Sequence, residues 1–165
     1  DLCAGSGCIG TAIAKAITST TIDFIEIDPE HLSTIKKNCL VNDISPERFR
    51  VFQGNLFAIK SNQELSKYDY IISNPPYIDP DLNRTDNSVK NHEPHIALYG
   101  GENGMDVIRE IISQTPKHLN KGGQLWIEHE PEQYSAISAL SQKIFEITTY
   151  RDQYQVERFT KLVLQ

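Results

Sequence analysis

No run of about 18 apolar residues occurs in the chain, so no segment is expected to cross a membrane as a helix. Basic residues are in the minority, with 16 Lys and Arg against 22 Asp and Glu and a formal net charge of −6. A surface made mainly to grip phosphate backbones needs clustered Lys and Arg, so that design is excluded, although a local basic patch is not. Cysteine is scarce and odd in number: Cys3, Cys8 and Cys39. Cys3 and Cys8 would make half of a metal site, but no second pair follows them, so neither a disulfide framework nor a metal centre is expected, and the usage fits a reducing compartment. An initiator Met and a targeting segment are also missing. The chain opens at Asp1 directly on a glycine-rich loop, without the apolar strand that should feed such a loop, and therefore reads as a fragment.

What remains suffices for one catalytic-sized domain spanning 1–165. The 165 residues are 39% hydrophobic and 23% charged, ordinary for a globular protein able to bury a core. Apolar runs alternate with helical periods, the pattern of an α/β fold with a parallel sheet flanked by helices. Helices are expected over residues 9–17 (Ile9, Ala12, Ile13 and Ala16 on one face), from Pro29 to about Asn42, from Met105 to Leu119, and from Pro131 through Leu140. Strands are expected over 21–27, 50–53, 68–73, 124–129, 145–150 and 157–164. Gly122 and Gly123 read as the turn into the fifth of these. The stretch from Tyr77 to Gly101 is polar and long, which in a compact domain usually marks function.

Asp1-Leu2-Cys3-Ala4-Gly5-Ser6-Gly7 sits where a strand should pass into a helix. Glycines there let a backbone approach a ligand closely, though plain tight turns look the same. About twenty residues on, Ile25-Glu26-Ile27-Asp28 puts a carboxylate at a strand tip, the device by which dinucleotide-binding folds accept ribose hydroxyl protons. No Gly-Lys-Ser or Gly-Lys-Thr follows the loop, so a nucleoside without a triphosphate fits better than a nucleotide. Glu26 is the expected ribose ligand. Asp28, just before Pro29, reads as a helix cap.

Asn74-Pro75-Pro76-Tyr77, at the end of an apolar strand, is the most specific feature. Two prolines fix the backbone and supply no amide hydrogens to pair neighbouring carbonyls. The Asn74 side-chain oxygen and the Pro75 carbonyl can then converge on one NH2 group, with the Tyr77 ring as a face for a planar substituent. An amide or arylamine nitrogen is a poor nucleophile because its lone pair is delocalised. Two acceptors aimed at its protons favour the charge that builds as it attacks a sulfonium methyl, by positioning and electrostatic preorganisation. The bland alternative is a rigid strand-ending turn with Tyr77 merely packed.

Together these residues resemble the HemK family of peptide-chain release-factor glutamine N5-methyltransferases. Asp1 to Gly7 matches the family's opening Asp-Leu-Gly-Thr-Gly-Ser-Gly, with Cys3 and Ala4 in place of Gly and Thr. Glu26 falls on its ribose-binding acid. Gln53-Gly54-Asn55-Leu56-Phe57 matches the adenine-contacting segment, with Asn55 where Asp is common. Ser73 to Ile78 matches the substrate turn throughout. His92-Glu93-Pro94, Ala97 to Gly101, Gly104-Met105, Gly122-Gly123, Glu128-His129, Gln133, Asp152 and Arg158 match further downstream. The resemblance implies a Rossmann-like class I S-adenosylmethionine-dependent fold, with a mostly parallel seven-stranded sheet whose first strand is truncated. It implies S-adenosyl-L-methionine as cofactor, bound by Cys3, Ala4, Gly5, Ser6, Gly7, Glu26, Asn55, Leu56 and Asn74. The catalytic turn is then Asn74, Pro75, Pro76 and Tyr77. The implied partner is a class 1 release factor, methylated on the glutamine of its Gly-Gly-Gln motif. A helical substrate-binding domain would precede this stretch, and the compartment would be the mitochondrial matrix or the bacterial cytoplasm.

An adenine N6 or guanine N2 amine is equally planar, so a DNA or RNA aminomethylase is the alternative, and a noncatalytic binding module is another. His92 and His95, around Glu93-Pro94, lack the further ligands a metal needs, and no metal is expected. Glu93 reads equally as a brace for the substrate loop or a turn contact. Glu128 and His129 end a strand, and Trp126 reads as core.

Overall fold

The computed structural model describes residues 1–82 and 94–165. Residues 83–93, with the candidate brace Glu93 and with His92, lie outside them. The chain forms two compact units, Asp1–Leu65 and Ser66–Gln165.

The first unit contains α1 (Cys8–Ala16), β1 (Ile22–Glu26), α2 (Pro29–Val41), β2 (Phe49–Asn55) and β3 (Ala58–Ile59), with strand order β1-β2-β3. β1 ends with three successive buried residues, Phe24, Ile25 and Glu26, as a strand covered on both faces must. Phe24, Ile35, Cys39, Ile44, Ala4 and Ala14 form its core, and each large side chain buried there contributes roughly 1.5–3 kcal/mol. Asp28 caps α2 as expected: its side chain accepts from the Glu30 N–H at 2.9 Å, and Pro29 fills the first helical position. The carboxyl end of α1 is held by Arg48, whose guanidinium donates to the carbonyls of Ala14 (2.8 Å), Ile17 (2.9 Å) and Thr20 (3.0 Å). Carbonyls at the end of a helix have no intrahelical donor, and Arg48 supplies one to Ala14 while tying the exit of the helix to Ile17 and Thr20.

The second unit contains β4 (Tyr68–Ser73), α3 (His95–Leu98), α4 (Asp106–His118), β5 (Leu119–Glu128), α5 (Tyr134–Ser141), β6 (Phe145–Arg151) and β7 (Glu157–Leu164). Its strand order is β4-β5-β7-β6. α4 buries Ile108, Ile111, Ile112 and Thr115, the spacing of one helical face. β5 buries alternate residues Leu125 and Ile127, so one face of the strand is turned inward.

Parallel pairing joins β1 to β2 and β4 to β5, and Leu2 bridges Ile25 in the same sense. The pairs β2–β3, β5–β7 and β6–β7 are antiparallel; in the second unit β4, β5 and β6 run the same way and β7 alone runs against them, in keeping with the mostly parallel sheet that the resemblance implies. β7 reverses because β6 and β7 are joined by a short connection, which only antiparallel neighbours allow. Gly122 and Gly123 do not precede β5 but lie inside it. Leu119 pairs with Tyr68 and Gln124 with Tyr70, so residues 120–123 bulge out of register. The expected helix from Pro131 is a 3-10 turn over Pro131–Gln133 that passes into α5. Trp126 is only half-buried; it lies against the Tyr150 ring, with centroids 5.0 Å apart, and is not in the core.

Candidate functional site

In the first unit the chemistry gathers at Glu26, the last residue of β1 and only 6% exposed. The Gly5 N–H donates to its Oε2 at 2.7 Å and the Asp28 N–H to its Oε1 at 2.9 Å. The carboxylate is thus oriented by the glycine loop on one side and by its own strand end on the other. A carboxylate oxygen accepts more than one hydrogen bond, so both retain capacity for a hydroxyl donor.

The loop itself is anchored on two elements. The Ala4 N–H donates to the Ile25 carbonyl (3.2 Å), the Gly7 N–H to the Ala4 carbonyl (2.7 Å), and Asn38 Nδ2 on α2 to the Ser6 carbonyl (2.8 Å). Gly5 has φ +53°, and among the described residues a Cβ built there would meet nothing within 4 Å, so they leave open space at the residue that holds Glu26. Asp1 Oδ2 accepts the Gly10 N–H of α1 at 2.9 Å, while Oδ1 is buried with no hydrogen-bond partner among the described residues. Cys3, where the resembled family has glycine, takes φ +56°, a conformation that costs an L-residue about 1–2 kcal/mol.

Register in the β1–β2 pair sets Glu26 beside Gln53, two residues before Asn55. Asn55 is exposed at the strand tip, and Leu56 follows it, 4% exposed and at φ +51°. The first unit therefore brings the loop residues Cys3 to Gly7, Glu26, Asn55 and Leu56 to the carboxyl ends of neighbouring parallel strands, where open α/β sheets take ligands. A buried carboxylate with spare acceptor capacity, an open space over Gly5 and an unused acceptor on Asp1 fit a polar nucleoside.

In the second unit Asn74-Pro75-Pro76-Tyr77 leaves the carboxyl end of β4. Asn74 is exposed, Pro75 buried, and Pro76 and Tyr77 half-buried. Beyond the turn the Ile78 N–H donates to the Leu98 carbonyl at 3.0 Å and the Gly100 N–H to the Ile78 carbonyl at 3.0 Å. The chain leaving the turn is thereby fastened to the end of α3. The Tyr77 hydroxyl donates to Glu128 Oε1 at 3.0 Å, which locks the ring to the end of β5. Burial and the adjacent carboxylate of Glu128 push the Tyr77 phenol well above its ordinary range, so it stays neutral.

Behind the turn sits a glycine-rich segment. A Cβ at Gly104 would collide with the Tyr77 carbonyl, and one at Gly100 would lie 2.5 Å from the Pro76 carbonyl. Gln133 Nε2 donates to the Tyr77 carbonyl at 2.8 Å. Glu130, three residues earlier, pairs with Arg158 at 2.9 Å, and Arg158 also faces Asp152 at 3.8 Å.

In sequence Gly100, Gly104, Gln133, Asp152 and Arg158 are signature positions without a physical task; in the fold all of them lie within this support. Only their spacing relative to the turn is visible in sequence, since Tyr77 and Glu128 are 51 residues apart. His129 is fully buried, with Nδ1 at 2.7 Å from the Glu130 carbonyl and Nε2 at 2.7 Å from Thr160 Oγ1. Both ring nitrogens are engaged in structure, which leaves none for proton transfer to a substrate. His95 is exposed, with its ring edge on Tyr99.

The methyltransferase small domain matches residues 1–91. The release factor glutamine methyltransferase of Francisella tularensis subsp. tularensis is 38% identical over 166 residues, 99% of this chain and 57% of that protein. The ribosomal protein uL3 glutamine methyltransferase of the same organism is 33% identical over 135 residues, 82% of this chain and 42% of that protein. The chain thus spans about half the length of the curated relatives it matches. Among solved structures, a methyltransferase from Pyrococcus furiosus superposes with a TM-score of 0.70 at 17% identity, over 98% of this chain and 71% of that one. The fold is that of the class I methyltransferases, whose cofactor is S-adenosylmethionine, and the chain belongs to the methyltransferase small domain family, in its HemK branch.

Proposed function

We propose that this chain is the catalytic domain, spanning 1–165, of a protein-glutamine N5-methyltransferase acting on the Gly-Gly-Gln glutamine of a class 1 release factor. The observation that carries this reading is the Asn-Pro-Pro-Tyr turn held rigid from behind at the carboxyl end of β4. The curated relatives at 38% and 36% identity that are named release factor glutamine methyltransferases support it.

In this proposal Glu26 accepts from the ribose hydroxyls of S-adenosylmethionine, the backbone of Cys3 to Gly7 lines its amino-acid portion, and Asn55 and Leu56 hold the adenine. The cofactor supplies an electrophilic methyl on sulfur. Asn74 and Pro75 accept the two protons of the substrate amide, which orients its nitrogen and lets positive charge build there. The group bound by Cys3 to Gly7, Glu26, Asn55 and Leu56 would supply the methyl and leave as a neutral thioether, and the amide nitrogen held by Asn74 and Pro75 would give up one proton to solvent. Neutral Tyr77 serves as an apolar wall and supplies no base. Acting on a release factor would put the protein where translation ends, in the bacterial cytoplasm or the mitochondrial matrix.

Radiolabelled cofactor, full-chain protein and a release factor make the test. Label should appear on the wild-type release factor and vanish when the motif glutamine is changed to alanine; equal labelling of both refutes the reading. Ribosomal protein uL3 belongs in the same assay, because relatives at 33% identity are named for its glutamine. Label on uL3 alone would keep the chemistry and change the substrate. Transfer to DNA or RNA is the weaker reading, since the curated relatives named above are glutamine methyltransferases.

A further inference from the structure

We propose that Gln133 is a positioning residue that sets the backbone of the Asn-Pro-Pro-Tyr turn, and hence the aim of the Asn74 and Pro75 acceptors; the kinetic part of this rests on the function proposed above. Gln133 is 7% exposed, and its amide is committed on every side. One Nε2 hydrogen goes to the Tyr77 carbonyl at 2.8 Å and the other to the Asn103 carbonyl at 3.1 Å. Oε1 accepts the Glu130 N–H at 2.9 Å. Two carbonyl acceptors and one N–H donor fix which end of the amide is which.

Three chain segments meet on this one side chain: the exit of the turn, the 3-10 turn over Glu102–Gly104, and the 3-10 turn that follows β5. Its own backbone is held as well, since Glu130 and Gln133 form a reciprocal cap and Glu130 is paired with Arg158. Gly104 completes the fit, because a Cβ there would lie 2.6 Å from Gln133 Nε2 and would also strike the Tyr77 carbonyl. Glutamine is the residue type this place requires: it is neutral, carries two donors and one needed acceptor, and is long enough to reach the turn. A carboxylate would face two carbonyl oxygens, and an apolar side chain would deprive both part-buried carbonyls of this donor.

The test compares wild-type full-chain protein with Gln133→Glu and Gln133→Met. Both keep the length of the side chain and remove the donors. Each should lower kcat for the glutamine substrate about 10²-fold, as a small misplacement of reacting groups does, with cofactor affinity by calorimetry within about threefold of wild type. Gln133→Glu should regain part of its kcat as pH is lowered, because a protonated carboxyl restores one donor; Gln133→Met should not. Amide hydrogen exchange should quicken in residues 77–79 while β5 and β7 keep their protection. A kcat within twofold of wild type, or unchanged exchange in 77–79, overturns the proposal. A wild-type protein that methylates no glutamine defeats the functional reading instead, and the exchange comparison then decides the role of Gln133 by itself. Should Gln133→Met fail to fold, Gln133→Glu carries the test.

Discussion

Tyr77 is the residue whose role changes most between sequence and structure. As a sequence position it is a ring for stacking; in the fold its hydroxyl is tied to Glu128. The phenol ionises near 10 in an unfolded chain and higher in the folded one, owing first to burial and then to Glu128. Its contribution to stability is therefore complete below about pH 10 and is lost as pH rises toward the folded value. Tyr77→Phe should cost about 1 kcal/mol at neutral pH, for one partly exposed hydrogen bond to a carboxylate. It should also remove part of the alkaline loss of stability, which urea unfolding at neutral and alkaline pH would measure. An unchanged alkaline profile would show that Tyr77 is not what titrates. Cys3 offers a second test. At φ +56° it pays for a conformation that glycine adopts freely, so Cys3→Gly should raise stability by about 0.5–1 kcal/mol once glycine's greater unfolded freedom is deducted. Thermal unfolding would show this, and a lower midpoint would mean that the thiol's contacts outweigh the strain.

At the level of elements, the ends of β5 and β7 are joined by His129, whose N–H donates to the Arg158 carbonyl at 2.9 Å and whose ring meets Thr160. Burial lowers its pKa below the ordinary 6.5. An unfolded chain binds the proton that the folded one resists, so this stability is complete above about pH 6.5 and is lost as pH falls through the folded value. His129→Gln should weaken the protein at neutral pH and flatten its decline between about pH 7 and 5; a decline as steep as wild type would refute the assignment. Gly104→Ala should be costlier than either change above, about 2 kcal/mol or more, because φ +67° and the Tyr77 carbonyl both oppose a Cβ. Element existence was readable from the sequence wherever periodicity was strong, as in α4 and β1. Short pieces were not readable: β3 has two residues and α3 four, too few for any period to declare itself. The Gly-Gly of the β5 bulge reads in sequence as a turn because Gly-Gly punctuates both. The candidate site was legible as residue types at strand tips, whereas its support was not, since the contacts of Gln133 and Glu128 with Tyr77 link residues more than fifty positions apart.

At the scale of the whole molecule, a net charge of −6 agrees with a protein substrate better than with a nucleic-acid backbone. Cofactor binding should couple to stability by mass action. S-adenosylmethionine at about a hundred times its Kd should stabilise the full-chain protein by about 2.7 kcal/mol, seen as a higher Tm, and Glu26→Ala should abolish that gain without loss of fold. A Tm that rises equally in the variant would remove Glu26 from the cofactor site. Asn74→Ala in the full-chain protein tests most directly whether two acceptors grip the one nitrogen that takes the methyl. Asn74 is exposed, so its truncation should spare the fold: kcat should fall about 10²-fold or more while calorimetric affinity for S-adenosylmethionine changes far less. Turnover undiminished by that substitution would contradict the account.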